Sequence, residues 1–389
     1  MRTNKVYIYQ YTKKFANKNF IEKEFSDVDS LILCQISYQD FDNIYNNFDD
    51  ETSIMELTKH VKSITKNTLY PQKNTKLLKS LQSGIRFSNI KMKYFHQVFS
   101  DKHKIQFAAL TYIGDTFAYI CFRGTDISIT GWKEDLLFAV KDVVPSQRLA
   151  LEYAQKVIPL IPAGKKIYIG GHSKGGNLAI HAACYLEEIY QKRISKVYDH
   201  DGPGFSYNIY GTEEYERIVN RVEKTIPRNS LIGILLNSSL SNAKIIKSNA
   251  ITGLYQHDPL RWIIDHNGNF VIVQDRSRMS KEIQIAVDEL IISLSYEEKK
   301  ALIRTIGMWF DNARIKTVKQ INKKFIPLLK QIRKSIKSEE NVELKSRLRI
   351  VVLLIFKLTL YKNHSYLTKR ADKKIEKLND EYKAYSKNI

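Results

Sequence analysis

Short apolar runs alternate with turns and amphipathic segments over residues 104–273. Residues 104–113 (KIQFAALTYI) and 116–122 (TFAYICF) flank Gly114-Asp115, a pattern that predicts a β-hairpin. Four further apolar runs are strand candidates, at 166–169, 196–199, 231–236 and 270–273. Segments 146–158 and 177–191 have the composition of helices. Strands that alternate with helices predict an α/β fold, with a mainly parallel sheet flanked by helices.

Helical patterns dominate on both sides of this region. Residues 25–41 (FSDVDSLILCQISYQDF) repeat apolar positions at helical spacing, with Ser26 as a candidate N-cap. After about residue 277 the strand signals stop, and the pattern predicts helices for residues 279–309 and for most of the remaining chain. We therefore expect an α/β domain over residues 1–310 and a helical extension over residues 311–389.

The charge of the chain is strongly basic and unevenly distributed. The formal net charge is +21, and residues 301–389 hold 22 Lys and Arg against 8 Asp and Glu. A basic surface attracts phosphates of nucleic acid or of anionic lipid. The extension also repeats apolar residues at near-helical spacing, which is typical of a helical cap or of a membrane-surface helix. No nucleic-acid module is present, so a nucleic-acid partner is not expected, whereas contact with an anionic membrane and a solvated basic helix both stay open.

Other features of the sequence suggest a cytoplasmic protein. The start, MRTNKVYIYQYTKKF, lacks the apolar run of a secretory signal, and the apolar run 350–356 is shorter than the about 20 residues of a membrane span. Cys34, Cys121 and Cys184 are widely spaced in apolar surroundings, which predicts buried reduced thiols and no zinc site. Abundant Lys, Asn, Ile and Tyr are typical of an AT-rich bacterial genome.

The central chemical motif is Gly171-His172-Ser173-Lys174-Gly175, which matches G-x-S-x-G. In this motif a serine lies on a sharp, strained turn between a strand and a helix, where only glycine fits two residues before and after it. Five residues can match by chance, but here a predicted strand precedes the motif and a predicted helix comes directly after it. We therefore predict Ser173 as a nucleophile.

A serine needs a histidine that accepts its proton and, usually, a carboxylate that orients the histidine. The expected chain order is serine, acid, histidine, and His257 lies in a late loop-like stretch (GLYQHDP) that suits the base. Asp201 comes after a candidate strand and is the favoured acid, with Glu223 and Asp258 as alternatives. A turn-forming role for Asp201 is nearly as good an interpretation.

The reaction also needs hydrogen-bond donors for the oxyanion. The backbone N–H of Lys174, directly after the nucleophile, is one candidate. Thr125, at the end of a predicted strand, is the second and could donate its N–H and its hydroxyl.

Several motifs in this order resemble the class 3 lipases and, more closely, the Mbeg1-like proteins of bacteria. They include FRGTD (122–126), Trp132, Asp135 and GHSKGGNLA (171–179), together with DGPGF (201–205) and QHDPLRW (256–262), and the similarity spans roughly residues 25–310. The resemblance implies an α/β-hydrolase fold and lipase or esterase activity. It places Thr125 in the oxyanion hole, Ser173 as nucleophile and His257 as base. Class 3 lipases carry their acid on a later strand, where residues 225–230 (TIPRNS) hold no carboxylate, so either Asp201 takes that role or the site is a dyad.

The sequence supports two functional hypotheses ahead of a third, a nucleic-acid-associated protein whose basic tail binds phosphates. The first is a cytoplasmic bacterial serine hydrolase that cleaves a lipid or another acyl ester with Ser173, His257 and Asp201, without a metal or organic cofactor. The alternative is a catalytically weak or inactive α/β-hydrolase-fold protein with a binding role, including at anionic membrane surfaces.

Overall fold

The computed structural model describes residues 6–250, 253–321, 323–340, 342, 344–349 and 352. Its centre is one sheet of eight strands whose spatial order is the order of the sequence. The strands are β1 Glu51–Ser53, β2 Lys91–Ser100, β3 Ile105–Ile113, β4 Phe117–Phe122, β5 Lys166–His172, β6 Ile194–His200, β7 Val222–Pro227 and β8 Lys244–Ile246.

The sheet changes from antiparallel to parallel at β4. Strands β1 to β4 pair in antiparallel fashion, and β4 to β8 pair in parallel fashion. Every residue of β4 is buried, as in a strand covered on both faces. The predicted hairpin is confirmed as β3 and β4, and the predicted α/β class is confirmed by the parallel half of the sheet with its connecting helices.

Helices cover both faces of the sheet. Within the described residues they are α1 Ile8–Lys14, α2 Asp27–Ser37, α3 Ile54–Leu57, α4 Val61–Thr65, α5 Pro71–Ser80, α6 Ile85–Ser88, α7 Ile129–Leu137, α8 Pro145–Val157, α9 Lys174–Tyr185, α10 Glu188–Gln191, α11 Glu213–Glu216, α12 Gly253–Gln256, α13 Arg278–Ile292, α14 Tyr296–Asn312 and α15 Phe325–Ser338. The predicted N-cap of α2 is confirmed, because the Ser26 hydroxyl accepts the backbone N–H of Asp29. The helix predicted over 177–191 is divided into α9 and α10.

Alternating side chains of the strands divide the core into two layers. Tyr119 and Cys121 of β4 belong to a cluster that includes residues of α2 and α5, whereas Ile120 and Phe122 pack with residues of α8 and α9. This is the period-two alternation of a strand, which sends neighbouring side chains to opposite faces. The sheet is therefore buried between two helical layers, with its carboxyl-terminal edge left to the loops.

Two predicted strands are wrong, and four strands escaped prediction. Residues 231–236 form bends and a turn at residues 233–234, and Leu236 has a positive φ of 62°. Residues 270–273 form only isolated bridges, Ile264 with Phe270 and Ile246 with Ile272. Strands β2, β7 and β8 were missed because charged and polar residues interrupt their apolar pattern, and β1 was missed because its three residues are all polar.

A third apolar cluster joins the chain beyond residue 311 to α7 and α14. Ile315 and Leu328 pack with Ile129 and Trp309. Two backbone hydrogen bonds reinforce the contact, Ile129 N–H to Lys316 O and Val318 N–H to Ile127 O, each 2.9 Å long. The described part of the extension is thus helical and packed, while most of the apolar stretch 351–360 lies outside the described residues. Within the part of the chain that the structure covers, no helix is long and apolar enough to cross a membrane.

Candidate active site

Ser173 occupies the turn between β5 and α9. Its φ of 60° and ψ of −133° place it in a strained backbone conformation, directly before the first residue of α9. A Cβ on Gly171 would lie 2.2 Å from the carbonyl carbon of Gly175, and one on Gly175 would lie 2.1 Å from the Phe122 oxygen. The two glycines of the motif are therefore required by close backbone contact, which is the geometry of a nucleophile elbow.

Asp201 and His257 lie in direct contact, although 56 residues separate them in the sequence. The Nδ1 atom of His257 is 2.7 Å from Oδ2 of Asp201, whose side chain is completely buried. A carboxylate can only accept, so Nδ1 carries the hydrogen and the lone pair of the neutral ring is on Nε2. This arrangement gives the imidazole the tautomer that can accept a proton from a serine.

The Asp201 carboxylate is itself held by its surroundings. Its Oδ1 accepts hydrogen bonds from the Ser230 hydroxyl and from the Gly233 N–H, the latter at 3.2 Å. Asp201 lies just after the end of β6 with a positive φ of 56°, and its N–H donates to Thr225 O on β7 at 2.8 Å. The carboxylate thus lies between the ends of β6 and β7. It is next to residues 225–230, which hold no carboxylate of their own.

The two alternative acids are engaged elsewhere. Glu223 pairs with Lys196 and with Lys244. Asp258 contacts Lys73 at 2.9 Å and Arg261 at 3.3 Å. Among the three carboxylates that the sequence nominated, Asp201 is the one bonded to His257.

His172 connects His257 to the elbow through a contact that the sequence did not predict. Its Nε2 lies 2.9 Å from the backbone oxygen of His257, and its Nδ1 lies 3.0 Å from the Tyr38 hydroxyl. The rings of His172 and His257 are 4.4 Å apart. Burial, and then the nearby His257, lower the pKa of His172 well below its usual value, so its ring is neutral and can donate from Nε2 while accepting at Nδ1.

The strand-end loop that contains Thr125 also lies against the elbow. A Cβ on Gly124 would be 2.4 Å from His172 O and 3.1 Å from the Ser173 Cβ. The Thr125 hydroxyl donates to Asp135 Oδ2 at 2.6 Å. The hydroxyl is therefore already engaged, and the backbone N–H of Thr125 is the group that stays a candidate donor to an oxyanion. Burial raises the pKa of the Asp135 carboxyl to about 6.

Lys174 presents its backbone at the start of α9 but turns its side chain into the protein. The ammonium donates to Gln106 O at 2.5 Å, to Gln106 Oε1 at 2.8 Å and to Glu134 Oε2 at 3.0 Å. The ion pair with Glu134 is essentially inaccessible to solvent. Its position beneath the elbow joins the start of α9 to α7 and β3.

No group of three or more His, Cys, Asp or Glu side chains suited to a metal ion occurs in the part of the chain that the structure describes. The geometry instead brings a strained serine, a pair formed by a partly buried histidine and a buried aspartate, and two backbone segments to one edge of the sheet. These are the elements of acid–base and nucleophilic chemistry.

A half-parallel sheet with helices on both faces and a serine at a strand–helix elbow defines an α/β-hydrolase fold. The model of the Mbeg1-like family matches residues 81–307, more than half of the chain, and the protein belongs to this family. Among solved structures, the M37 lipase is similar at 16% sequence identity and a TM-score of 0.34, over 61% of this chain and 79% of that one. A search of curated proteins found no match.

Proposed function

We propose that the protein is a serine hydrolase of acyl esters, with Ser173 as nucleophile, His257 as general base and Asp201 as the residue that orients the histidine. The observation that carries the proposal is the 2.7 Å bond from His257 Nδ1 to the buried Asp201 carboxylate, beside the strained serine. A buried carboxylate bonded to a histidine at a sheet edge has a catalytic use, because it orients the base and stabilises its protonated form.

The steps of the reaction are set by the roles of these groups. His257 Nε2 takes the proton of the Ser173 hydroxyl as Oγ attacks the ester carbonyl carbon. The carbonyl oxygen becomes an oxyanion, for which the N–H groups of Lys174 and Thr125 are the proposed donors. The positive end of the α9 dipole favours the same charge. Collapse of the tetrahedral intermediate expels the alcohol, which leaves with the proton from His257. In the second half of the reaction, His257 activates a water molecule that attacks the acyl group on Ser173. This step releases the carboxylic acid and frees Ser173.

We propose a lipid or another acyl ester as the substrate, a hydrolase domain over residues 1–310 and a cytoplasmic bacterial setting. The described cysteines Cys34, Cys121 and Cys184 are all buried and unpaired. Free buried thiols are typical of proteins in a reducing compartment.

A fluorophosphonate probe tests the proposal, because it reacts covalently with an activated serine. The purified wild type should be labelled, and Ser173→Ala and His257→Ala should lose labelling while they keep the circular dichroism spectrum of the fold. Ser63→Ala and His103→Ala are matched controls, since both residues are exposed, and they should be labelled like the wild type.

A folded wild type that no fluorophosphonate labels would contradict the enzymatic proposal and would favour the alternative, a hydrolase fold with a binding role. Labelling that survives Ser173→Ala would place the reactive serine elsewhere. A panel of p-nitrophenyl esters and phospholipids would then define the acyl chain and head group of a labelled enzyme.

A further inference from the structure

A basic groove lies on the extension, between α15 and the helical residues 344–349. Its lining consists of Arg333, Ile336, Lys337, Lys345 and Arg349, around a space of about 370 Å³. Four of the five lining side chains are cations, and a carboxylate is not among them. The proposed hydrolytic site uses none of these four cations.

The sequence brings the four cations together through helical spacing. Arg333 and Lys337 are four residues apart on α15, and Lys345 and Arg349 are four residues apart on the next helical segment, so each pair shares one face. The apolar faces of the same helices join one cluster. Its members from these two helices are Leu328, Ile332, Ile336, Leu344 and Leu348. This packing holds the two basic pairs on opposite walls of one groove.

The groove is electrostatically unbalanced. Arg333, Lys337 and Arg349 form no ion pair with a described residue, and Lys345 donates to the backbone oxygen of Glu339 at 3.0 Å. Like charges that line one groove repel each other, so a bound anion stabilises the arrangement. A groove that offers one guanidinium and one ammonium group from each wall suits phosphate, because guanidinium binds its oxygens in a bidentate manner.

Exposed apolar residues lie at the other end of α15. Phe325 is 45% exposed and Ile326 is 67% exposed at the start of the helix. A soluble phosphate compound would not contact such residues, whereas an amphipathic helix at a membrane surface buries apolar side chains beside its basic ones. We propose that the groove binds the phosphate of an anionic phospholipid headgroup and docks the extension on an anionic membrane.

The extension is also attached to the chain next to the candidate active site, so a docked extension would hold that site near the membrane. Residues 316–318 are hydrogen-bonded to residues 127–129, which begin two positions after Thr125 in the proposed oxyanion loop. The consequence for the substrate, an ester presented at an anionic lipid surface, rests on the proposed function, but the binding of the headgroup does not.

Vesicle co-sedimentation tests the binding by itself. The full-length Ser173→Ala protein should sediment with vesicles that contain phosphatidylglycerol and not with phosphatidylcholine alone. Because a basic residue near an anionic surface contributes about 1 kcal/mol, each of Arg333→Gln/Lys337→Gln and Lys345→Gln/Arg349→Gln should weaken binding about thirtyfold. The matched control is Lys62→Gln/Lys66→Gln, which removes two exposed lysines at the same spacing on and just after α4 and should bind like the parent.

Soluble glycerol phosphate, added as a competitor in the same assay, distinguishes recognition of the phosphate group from attachment to the membrane surface. Competition by glycerol phosphate would support the phosphate as the recognised group. Equal binding to both kinds of vesicle, groove variants that bind like the parent, or a control that weakens equally would overturn the proposal. So would binding of duplex DNA that the groove variants lose while no vesicle is bound. Since Ser173→Ala carries no nucleophile, these results are independent of whether the wild type is labelled by fluorophosphonate.

Discussion

Replacing Lys174 by methionine should destabilise the protein by about 3–5 kcal/mol, because the change leaves a buried carboxylate without its cation. Lys174 is 1% exposed and Glu134 is 0% exposed, and their charged atoms are 3.0 Å apart. Methionine fills nearly the same volume, so the loss does not come from a cavity. The magnitude comes from the uncompensated charge and from the loss of the two bonds to Gln106.

The double variant Lys174→Met/Glu134→Gln separates charge from packing. A neutral glutamine can still accept a hydrogen bond from Ser146, which donates to Glu134 Oε1 in the native protein. We expect the double variant to recover most of the lost stability and to stay within about 1–3 kcal/mol of the wild type, the cost of the imperfect hydrogen bonds that remain. Glu134→Gln should therefore be stabilising when it is added to Lys174→Met.

Urea unfolding followed by circular dichroism measures these differences as shifts of the midpoint at constant slope. Lys62→Met, a change of an exposed lysine, is the control and should change stability by no more than about 0.5 kcal/mol. A Lys174→Met protein within about 1 kcal/mol of the wild type would refute the reasoning, since that is the range of an exposed pair. A double variant less stable than the single one would refute it as well.

Three further changes test other parts of the site and core. Asp201→Asn should slow fluorophosphonate labelling by about 10⁴-fold, since an amide no longer selects the histidine tautomer, whereas Glu223→Gln should label at the native rate. Gly124→Ala should reduce both labelling and stability, because the new Cβ would lie 2.4 Å from the backbone oxygen of His172. Gly164→Ala, with open space around it, should be neutral in labelling. Burial lowers the pKa of His200 to about 3 in the folded protein, whereas the pKa of an unfolded histidine is about 6.5. Between these two values the unfolded state binds the proton and the folded state does not, so stability falls as the pH falls from about 6.5 towards 3. In His200→Gln this contribution to the pH dependence of urea unfolding should disappear, and parallel profiles for variant and wild type would contradict the argument.

The sequence by itself determined the features that depend on neighbours along the chain. The β3–β4 hairpin, the N-cap at Ser26 and the long helices after residue 277 are set by local periodicity and turn residues. The elbow at Ser173 was local in part, because Gly171 contacts the Gly175 backbone within five residues, although Gly175 also lies against the Phe122 oxygen of β4. Strands with an interrupted apolar pattern could not be predicted in this way, as β7 illustrates: its Lys224 is buried because it pairs with Asp199 of β6.

Only the tertiary structure decided which distant groups meet. The sequence offered three candidate carboxylates, and the ends of β6 and β7 place Asp201 against His257 while lysines and an arginine engage Glu223 and Asp258. The contact of His172 with the backbone of His257 likewise joins residues 85 positions apart. The basic groove is also tertiary, since its two walls come from separate helices that pack through their apolar faces. Side-chain periodicity specifies which face of an element is buried, but the partner on that face depends on how the whole sheet and its helices pack together.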